Sequence, residues 1–598
     1  MVPLLIFGGA ILAWLVLSGK AKTMTPNQWL ALVMALVGAN FLRGGGWIMG
    51  GAMIAGAAFL SGWRILIPAR DEIEEPKRKP RNFELDRARS LLGVSDNAGF
   101  IEINAAWKER LAEHHPDNGG QIQQSGNPIM TSPPTHDFHP SSLREYDIRG
   151  IIGETLGEED AYAIGRGFGT LIARDGGSAV ATGFDGRTSS PMLEDALIRG
   201  LNDAGINAVS VGMGPTPMLY YAESVLESVQ GGIMITGSHN PANYNGFKMV
   251  FQGRPFFGAD ILKLGTMASE GDWDSGSGSV ERIDIIDEYV ERLLKNFTGG
   301  AFRVGWDCGN GAAGPVIEKL TKLLAERGAG EHHLLYTEVD GSFPNHHPDP
   351  TEEKNLEDLK ALVAEKGLDF GVAFDGDGDR IGAIDGEGRV IWGDQLLQIF
   401  AEDVLKSEPG ATIIADVKAS QALYDRIAEL GGKPLMWKTG HSLIKSKMKE
   451  TGSPLAGEMS GHVFFKHDYY GFDDAPYAAI RLIQAAANIG KSVTQLRSDM
   501  VEMINTPEMR FQVDESRKFA VIDEVLERLS ASGAEVNDTD GARVNTEDGW
   551  WLLRASNTQD VLVARAEAKS HDGLDRLMAQ IDEQLALSGL ERGEQAGH

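Results

Sequence analysis

Phe370-Gly371-Val372-Ala373-Phe374 runs without interruption into Asp375-Gly376-Asp377-Gly378-Asp379-Arg380. A short apolar run closed by a polar, glycine-rich turn reads as a buried strand that delivers a loop. The same grammar recurs along the chain. Runs of strand length at 178–183, 231–235, 303–306 and 412–415 each end in a polar turn, and stretches of helical period such as 161–174 and 356–366 separate them. Alternation of this kind predicts layered α/β domains whose ligands sit beyond the carboxyl ends of the strands. The chemistry is therefore expected in the turns.

The aspartate turn sets three carboxylates at alternate positions with glycines between them, which lets oxygen ligands converge on one hard cation. An EF-hand loop is excluded, because Arg380 stands where that loop needs glycine and Gly386 where it needs glutamate. A solvated acidic turn is the alternative, although three like charges in five residues repel unless a cation neutralises them. Magnesium completes its shell with phosphate oxygens and water, so the loop predicts a phosphorylated partner nearby.

Thr236-Gly237-Ser238-His239-Asn240-Pro241 follows the run 231–235 directly. It puts a serine hydroxyl on a strand-to-loop corner stiffened by Pro241, a setting that suits a nucleophile or phosphate carrier and equally an ordinary turn. A serine-hydrolase elbow fits less well: Asn240 breaks Gly-x-Ser-x-Gly, and the adjacent His239 cannot be assumed to act as a base. Lys248 lies ten residues on and returns a positive charge toward the same loop. In Gly457-Glu458-Met459-Ser460-Gly461-His462, the Glu458 and Ser460 side chains offer an acceptor and a donor-acceptor suited to vicinal sugar hydroxyls. Arg554-Ala555-Ser556-Asn557-Thr558 follows the strand-like run 550–553 and sets a guanidinium fork beside hydroxyls and an amide, equipment for a phosphate dianion. Each turn alone also reads as surface; together they describe a site for a sugar phosphate.

The chain has 598 residues and a formal net charge of -29. That length accommodates about four domains of ordinary size, and the charge argues against nucleic acid as a partner, so an anionic ligand needs a local basic pocket. The single cysteine, Cys308, excludes an intrachain disulfide and reads as a buried structural thiol. Residues 1–70 hold no Asp or Glu and contain three apolar stretches, 2–17, 29–41 and 47–66, which predict two or three membrane helices. Lys20 and Lys22 follow the first stretch, and Lys77, Arg78, Lys79 and Arg81 follow the third. The positive-inside bias then places everything after residue 70 in the cytoplasm, anchored to the inner (cytoplasmic) membrane.

Residues 71–120 resemble the front half of a J-domain, the Hsp70-stimulating module. The resemblance rests on Leu91-Leu92-Gly93-Val94, on Lys108 and Arg110 in a basic second helix, and on His115-Pro116-Asp117. A third helix should follow, but residues 121–140 are a linker rich in Ser, Pro, Thr and Asn, which argues against Hsp70 as a partner. The tripeptide itself is weak evidence, since His347-Pro348-Asp349 repeats it in an unrelated context.

In order and spacing, the four turns resemble those of the α-D-phosphohexomutase superfamily across residues 141–590. The Ser238 and Glu458 loops are most similar to its phosphomannomutase/phosphoglucomutase branch. The resemblance implies a four-domain α/β fold behind the membrane helices and the partial α-helical J-like segment. Three related α/β domains would span 141–287 with the phosphoserine loop, 288–389 with the metal loop and 390–502 with the sugar loop. A C-terminal α+β domain at 503–598 would carry the phosphate-binding loop. It further implies Ser238 as the phosphorylated residue and, with Asp375, Asp377 and Asp379, a ligand of Mg2+. Arg149, in Tyr146-Asp147-Ile148-Arg149-Gly150, would join Lys248, His462 and His239 as catalytic groups. Tyr146, Arg380, Lys418, His441, Glu458, Ser460, Arg554, Ser556, Asn557 and Thr558 would bind substrate.

The implied reaction moves phosphate between C6 and C1 of mannose or glucose phosphate, with a hexose 1,6-bisphosphate as intermediate and activator. One position departs from the family, which commonly has Pro where this chain has Asp560. A carboxylate about 8 Å from a bound phosphate would oppose it by roughly 0.5 to 2 kcal/mol. The alternative functions are a membrane-anchored J-domain co-chaperone with a passenger, and a mutase-like region that only binds sugar phosphates. Gly165-Arg166-Gly167-Phe168-Gly169 lies inside a helical pattern with no preceding strand and is rejected as a dinucleotide site.

Overall fold

The computed structural model describes residues 135–592 apart from Thr558. The apolar stretches of 1–70, the J-like segment of 71–120 and residues 121–134 of the linker lie outside the described residues. Among the described residues no helix is long and apolar enough to cross a membrane.

The first sheet holds β1 (Ile148–Ile151), β2 (Ala179–Phe184), β3 (Asn207–Met213), β4 (Gly231–Ile235), β5 (Tyr244–Phe251), β6 (Arg254–Pro255) and β7 (Val280–Arg282). They lie in the order β1-β5-β4-β2-β3-β7, with β6 on β5. The second holds β8 (Phe302–Asp307), β9 (Gly330–Leu335), β10 (Phe370–Phe374), β11 (Ile381–Asp385) and β12 (Val390–Ile391), in the order β12-β11-β10-β8-β9. The third holds β13 (Thr412–Asp416), β14 (Lys433–Trp437), β15 (Leu455–Gly457) and β16 (Val463–Phe465), in the order β14-β13-β15-β16.

One plan underlies all three. Three parallel strands are followed by a fourth that returns antiparallel beside the third: β2-β3-β4-β5, β8-β9-β10-β11 and β13-β14-β15-β16. In each unit the connection from third to fourth strand is one of the turns singled out in the sequence, carrying Ser238, the three aspartates and Glu458 respectively. The repeated topology therefore brings three different chemistries to equivalent strand ends.

The fourth sheet is antiparallel throughout. It contains β17 (Ile504–Asn505), β18 (Met509–Gln512), β19 (Glu535–Asn537), β20 (Ala542–Asn545), β21 (Gly549–Ala555) and β22 (Val561–Ala568). Their order is β17-β22-β21-β20-β19 with β18 on β22, and the β21-β22 turn carries Ser556 and Asn557. Helices Glu515–Ser532 and His571–Leu587 complete this domain. Alternation along β21 sends Trp551 into the domain's own core and Trp550 against Val417 of the third unit.

Strand ends follow ladder pairing rather than local hydropathy. The runs expected at 303–306 and 412–415 extend to Asp307 and Asp416, because Asp307 still pairs with Ala373 and Leu335 and Asp416 with Trp437. The helix expected at 356–366 begins instead as a 3-10 turn, Glu353–Leu356, and continues as α-helix over Glu357–Lys366. The glycine run at 165–169 has a packing reason. It lies within helix Glu158–Arg174, where a Cβ on Gly165 would sit 2.2 Å from the Leu197 carbonyl oxygen of helix Ser190–Asp203. Cys308 is buried in the apolar core, as its sequence context predicted.

Candidate active site

Ser238 is buried, 2 % exposed, and its backbone is held at φ 52, a left-handed conformation unusual for a residue other than glycine. The loop is held by a buried arginine that the sequence reading did not single out. Arg187 pairs with Asp185 at 3.1 Å and donates to the carbonyls of Ser238 (2.8 Å), Asn240 (2.5 Å), Pro241 (2.5 Å) and Tyr244 (3.1 Å). Asp185 in turn accepts from the Gly237 N–H at 3.0 Å, and Thr236 Oγ1 accepts from the Ser238 N–H at 2.7 Å. The loop is thus fixed through its own backbone. The remaining clue in the sequence was Phe184-Asp185-Gly186-Arg187, an acid and a base closing a strand.

The aspartate loop meets this one directly. Ser238 Oγ lies 3.3 Å from Asp375 Oδ2 and 3.2 Å from His239 Nδ1. A Cβ on Gly376 would fall 2.5 Å from the Ser238 carbonyl oxygen, so only glycine permits the approach. Asp375, Asp377 and Asp379 are fully buried, with oxygens from all three within 4.8 Å of one another. Lys248, on β5, bonds Asp377 at 2.7 Å and also pairs with Asp379, while Thr216 donates to Asp377 at 2.5 Å.

Three carboxylates confront one lysine and the nearby Arg380. Burial and then the charges of Asp377 and Asp379 push the Asp375 carboxyl far above its ordinary range. At Asp379 burial acts the same way, but Lys248 and His462 outweigh it and the group is held well below. At Lys248 burial opposes the charge and the three aspartates prevail, so its ammonium is stabilised. Asp377 Oδ1 and Asp379 Oδ1 are buried with no hydrogen-bond partner. A dry cluster of hard oxygens, two of them buried without a hydrogen-bond partner, fits magnesium.

The sugar loop is tied to the metal loop by backbone pairing: Arg380 and His462 form an isolated bridge, and the Ile381 N–H donates to the Gly461 carbonyl at 3.0 Å. His462 Nε2 stands 3.3 Å from Asp379 Oδ1, and its Nδ1 2.9 Å from Glu458 Oε2 and 3.1 Å from Ser460 Oγ. Burial would lower the His462 pKa, but Asp379 and Glu458 raise it to about 9, and the same pairing takes Glu458 down to about 2. His239 is the opposite case. Burial and the cations Arg380, Arg149 and Lys248 hold it well below the usual imidazole value, hence neutral. His441 stacks on His462 with ring centres 5.6 Å apart. Arg149 pairs with Asp147, on a strand whose ladder with β5 sets it opposite Gly246.

At the other end of the cleft Arg554 is bound by Asp540 at 2.9 Å, and Asp540 also accepts from the Thr439 N–H of the third unit at 3.1 Å. Asn557 donates to the Tyr146 hydroxyl at 2.5 Å, and Tyr146 donates to the Thr439 carbonyl at 2.9 Å, so one phenol joins three domains. Ser556 is buried beside Arg554, and Thr558 lies outside the described residues. Lys418 is held by Glu508 at 3.1 Å. Its loop is gripped from the fourth domain by Arg543, bonding the Val417 and Ala419 carbonyls at 2.6 and 2.8 Å, and by Arg565 on the Lys418 carbonyl at 2.5 Å. Most of the sequence-selected residues are joined by these contacts, whereas Arg149 is bound to Asp147 and Ser556 accepts from the Gln559 N–H. Asp185, Arg187, Thr216, Asp540 and Glu508 were missed, because each acts through a partner distant in the chain. Asp349, set aside as a stray tripeptide, lends its charge to Arg380, and the neighbouring Pro348 carbonyl accepts from Gly376 at 3.2 Å.

Comparison with known proteins agrees with this geometry. The four phosphoglucomutase/phosphomannomutase domain families match in order: alpha/beta/alpha domain I at residues 141–272, domain II at 287–388, domain III at 392–504 and the C-terminal domain at 508–584. A phosphomannomutase/phosphoglucomutase of Pseudomonas putida is 47% identical over 438 residues, 73% of this chain and 94% of that protein. A phosphoglucomutase of Neisseria meningitidis is 42% identical over 443 residues, 73% of this chain and 95% of that protein. Among solved structures, a phosphoglucomutase/phosphomannomutase family protein from Burkholderia thailandensis superposes with a TM-score of 0.71 at 43% identity, covering 76% of this chain and 98% of its own. From Ser238 to Arg554 and across four domains in order, the chain belongs to the phosphoglucomutase/phosphomannomutase family.

Proposed function

We propose that this chain is a phosphomannomutase/phosphoglucomutase that moves phosphate between C6 and C1 of mannose or glucose phosphate. The observation that carries the reading is the Ser238 hydroxyl, buried 3.3 Å from Asp375 and 3.2 Å from His239, at the edge of a three-carboxylate cluster that Lys248 engages. Ser238 carries the phosphoryl group. As the substrate's free hydroxyl forms its bond to phosphorus, the Ser238 Oγ–P bond breaks and a hexose 1,6-bisphosphate results. That intermediate turns over in the cleft and returns its other phosphate to the serine, so no phosphate is consumed.

Asp375, Asp377 and Asp379 would hold Mg2+ beside the phosphoserine, and the ion would supply charge neutralisation for the transferring group. The chain's own residues do the rest. Arg187 fixes the Ser238 corner, which pre-pays the orientation of the nucleophile. Lys248, Arg149 and Arg380 stabilise negative charge on the phosphoryl oxygens. His462 keeps its proton near neutral pH and can donate it, while His239, held neutral, leaves its Nδ1 3.2 Å from the serine oxygen as a hydrogen-bond partner. Glu458 and Ser460 receive sugar hydroxyls, Lys418 and His441 flank the ring, and Arg554, Ser556, Asn557 and Thr558 take the phosphate that is not reacting.

Residues 1–70 are proposed to anchor the enzyme to the cytoplasmic membrane, on the support of their apolar stretches, missing acids and basic flanks. Recovery of the native chain in the soluble fraction alone would contradict that. The co-chaperone alternative has no comparable support, since the family match accounts for residues 141–584 and does not extend to the J-like segment. The mutase reading is tested by a coupled assay of the full chain with mannose 1-phosphate and glucose 1-phosphate, magnesium and a trace of bisphosphate. Formation of the 6-phosphates is expected. Binding of both substrates without conversion would leave the sugar-phosphate-binding alternative in its place.

A further inference from the structure

Asp473 and Asp474 are adjacent buried carboxylates with different surroundings. Asp474 is fully employed in the fold: it caps helix Ala475–Ile489 through the Tyr477 N–H at 2.8 Å and accepts from the Tyr289 and Tyr469 hydroxyls at 2.8 and 2.7 Å. Asp473, also 0 % exposed, points the other way, into the reacting end of the cleft. Its Oδ1 accepts from Lys445 at 3.0 Å. Its Oδ2 has no hydrogen-bond partner and lies 3.7 Å from His441 Nδ1 and 3.8 Å from His462 Nε2. His441 Nδ1 is likewise buried without a partner.

An unspent acceptor facing an unspent ring nitrogen is costly in a dry site unless the pair closes during the catalytic cycle. Hydrogen bonds among catalytic groups are often long before substrate arrives and shorten in the complex. A closure of less than 1 Å at Asp473 would be enough here. We propose that Asp473 is a positioning residue for the two stacked imidazoles. It takes the His441 Nδ1–H, which turns Nε2 of that ring outward, and it backs the Nε2 edge of His462 opposite Asp379. This rests on the mutase reading, in which His462 stands at the phosphoryl group and His441 at the sugar. The carboxylate touches neither substrate nor the transferring group and acts through the rings. Lys445, also packed over the Tyr220 ring at 4.4 Å, keeps Oδ1 occupied so that Oδ2 is the free edge.

The test is Asp473→Asn in the full chain, which preserves shape and the backbone bridge to Phe464 while removing the charge. In this variant kcat should fall about 100-fold, within the range for groups that govern proton transfer, with KM for the hexose phosphate changed less than twofold and the melting temperature kept. Asp473→Glu, which restores the charge, should recover part of the loss. If Asp473→Asn does not fold, Asp473→Glu alone decides, with lowered kcat at constant KM expected. Wild-type kcat in the variant that folds, or parallel changes in kcat, KM and melting temperature, would overturn the proposal. An inactive wild-type chain would instead overturn the mutase reading on which it rests.

Discussion

Around Ser238 two domains touch through backbone atoms as well as side chains, Gly376 lying against the Ser238 carbonyl and the Asp377 carbonyl accepting from the Thr216 N–H at 2.8 Å. Around Arg554 the fourth domain reaches the first through side chains, the Asn557 amide resting on the Tyr146 hydroxyl. Backbone contacts of the first kind have no rotamers to relax and cannot slide without breaking the loop that bears the nucleophile. Side-chain contacts of the second kind can open and reform at a cost of about 1 kcal/mol each. The contrast matches the task. On the proposed mutase reading the Ser238 end would present one geometry to every phosphoryl transfer, whereas the Arg554 end would release one phosphate and accept the other when the bisphosphate turns over.

The largest effect should come from the nucleophile. Ser238→Ala is expected to lower kcat by at least about 10⁴-fold, the scale seen when a covalent catalyst is removed, and Asp377→Asn nearly as much. Steady-state turnover with added bisphosphate measures both. Gly376→Ala would break the rigid end without removing any polar group. Its Cβ must push the Ser238 carbonyl from 2.5 Å, and a shift approaching 1 Å in the nucleophile should cost about 10- to 100-fold in kcat at nearly constant KM. Loss of substrate affinity instead would place the disturbance at the other end.

Tyr146→Phe would loosen the Arg554 end. It removes the acceptor for Asn557 and the donor to Thr439, about 1 to 2 kcal/mol together, so kcat/KM should fall about 5- to 30-fold with KM rising. An unchanged KM would mean that the tyrosine does not help to close the cleft. The smallest effect is expected at Asp560, whose carboxylate is 63 % exposed and 3.9 Å from the buried Lys518. The opposition to phosphate expected from the sequence is offset by that lysine and by solvent, so Asp560→Pro should lower KM by less than about twofold. A fall of tenfold in a substrate titration would show that the carboxylate faces the bound phosphate.

What could be read from the sequence divides along the same line. The nucleophile, the aspartates and the sugar and phosphate loops are contiguous motifs at strand ends, so hydropathy and residue chemistry reveal them locally. The strand runs 231–235 and 370–374 were legible to the residue, because apolar character and ladder pairing end together there. Arg187, Asp540 and Asp473 were not, since a lone arginine or aspartate acquires its role only when folding brings distant carbonyls, guanidinium or imidazoles to it. The left-handed backbone of Ser238 was hidden for the same reason: the Arg187 side chain that holds its loop lies some fifty positions away in the chain. The 4-3-1-2 strand order common to the three units was equally hidden, because it is set by which strands pair and not by any one segment.

Whether Ser238 carries and donates the phosphoryl group is decided by labelling the chain with 32P-bisphosphate, mapping the label, and chasing with unlabelled glucose 6-phosphate. Label is expected on the peptide containing Ser238, with its transfer into hexose bisphosphate and hexose phosphate within the turnover time. Label on another residue, or label that stays on the protein while product forms, would contradict that role.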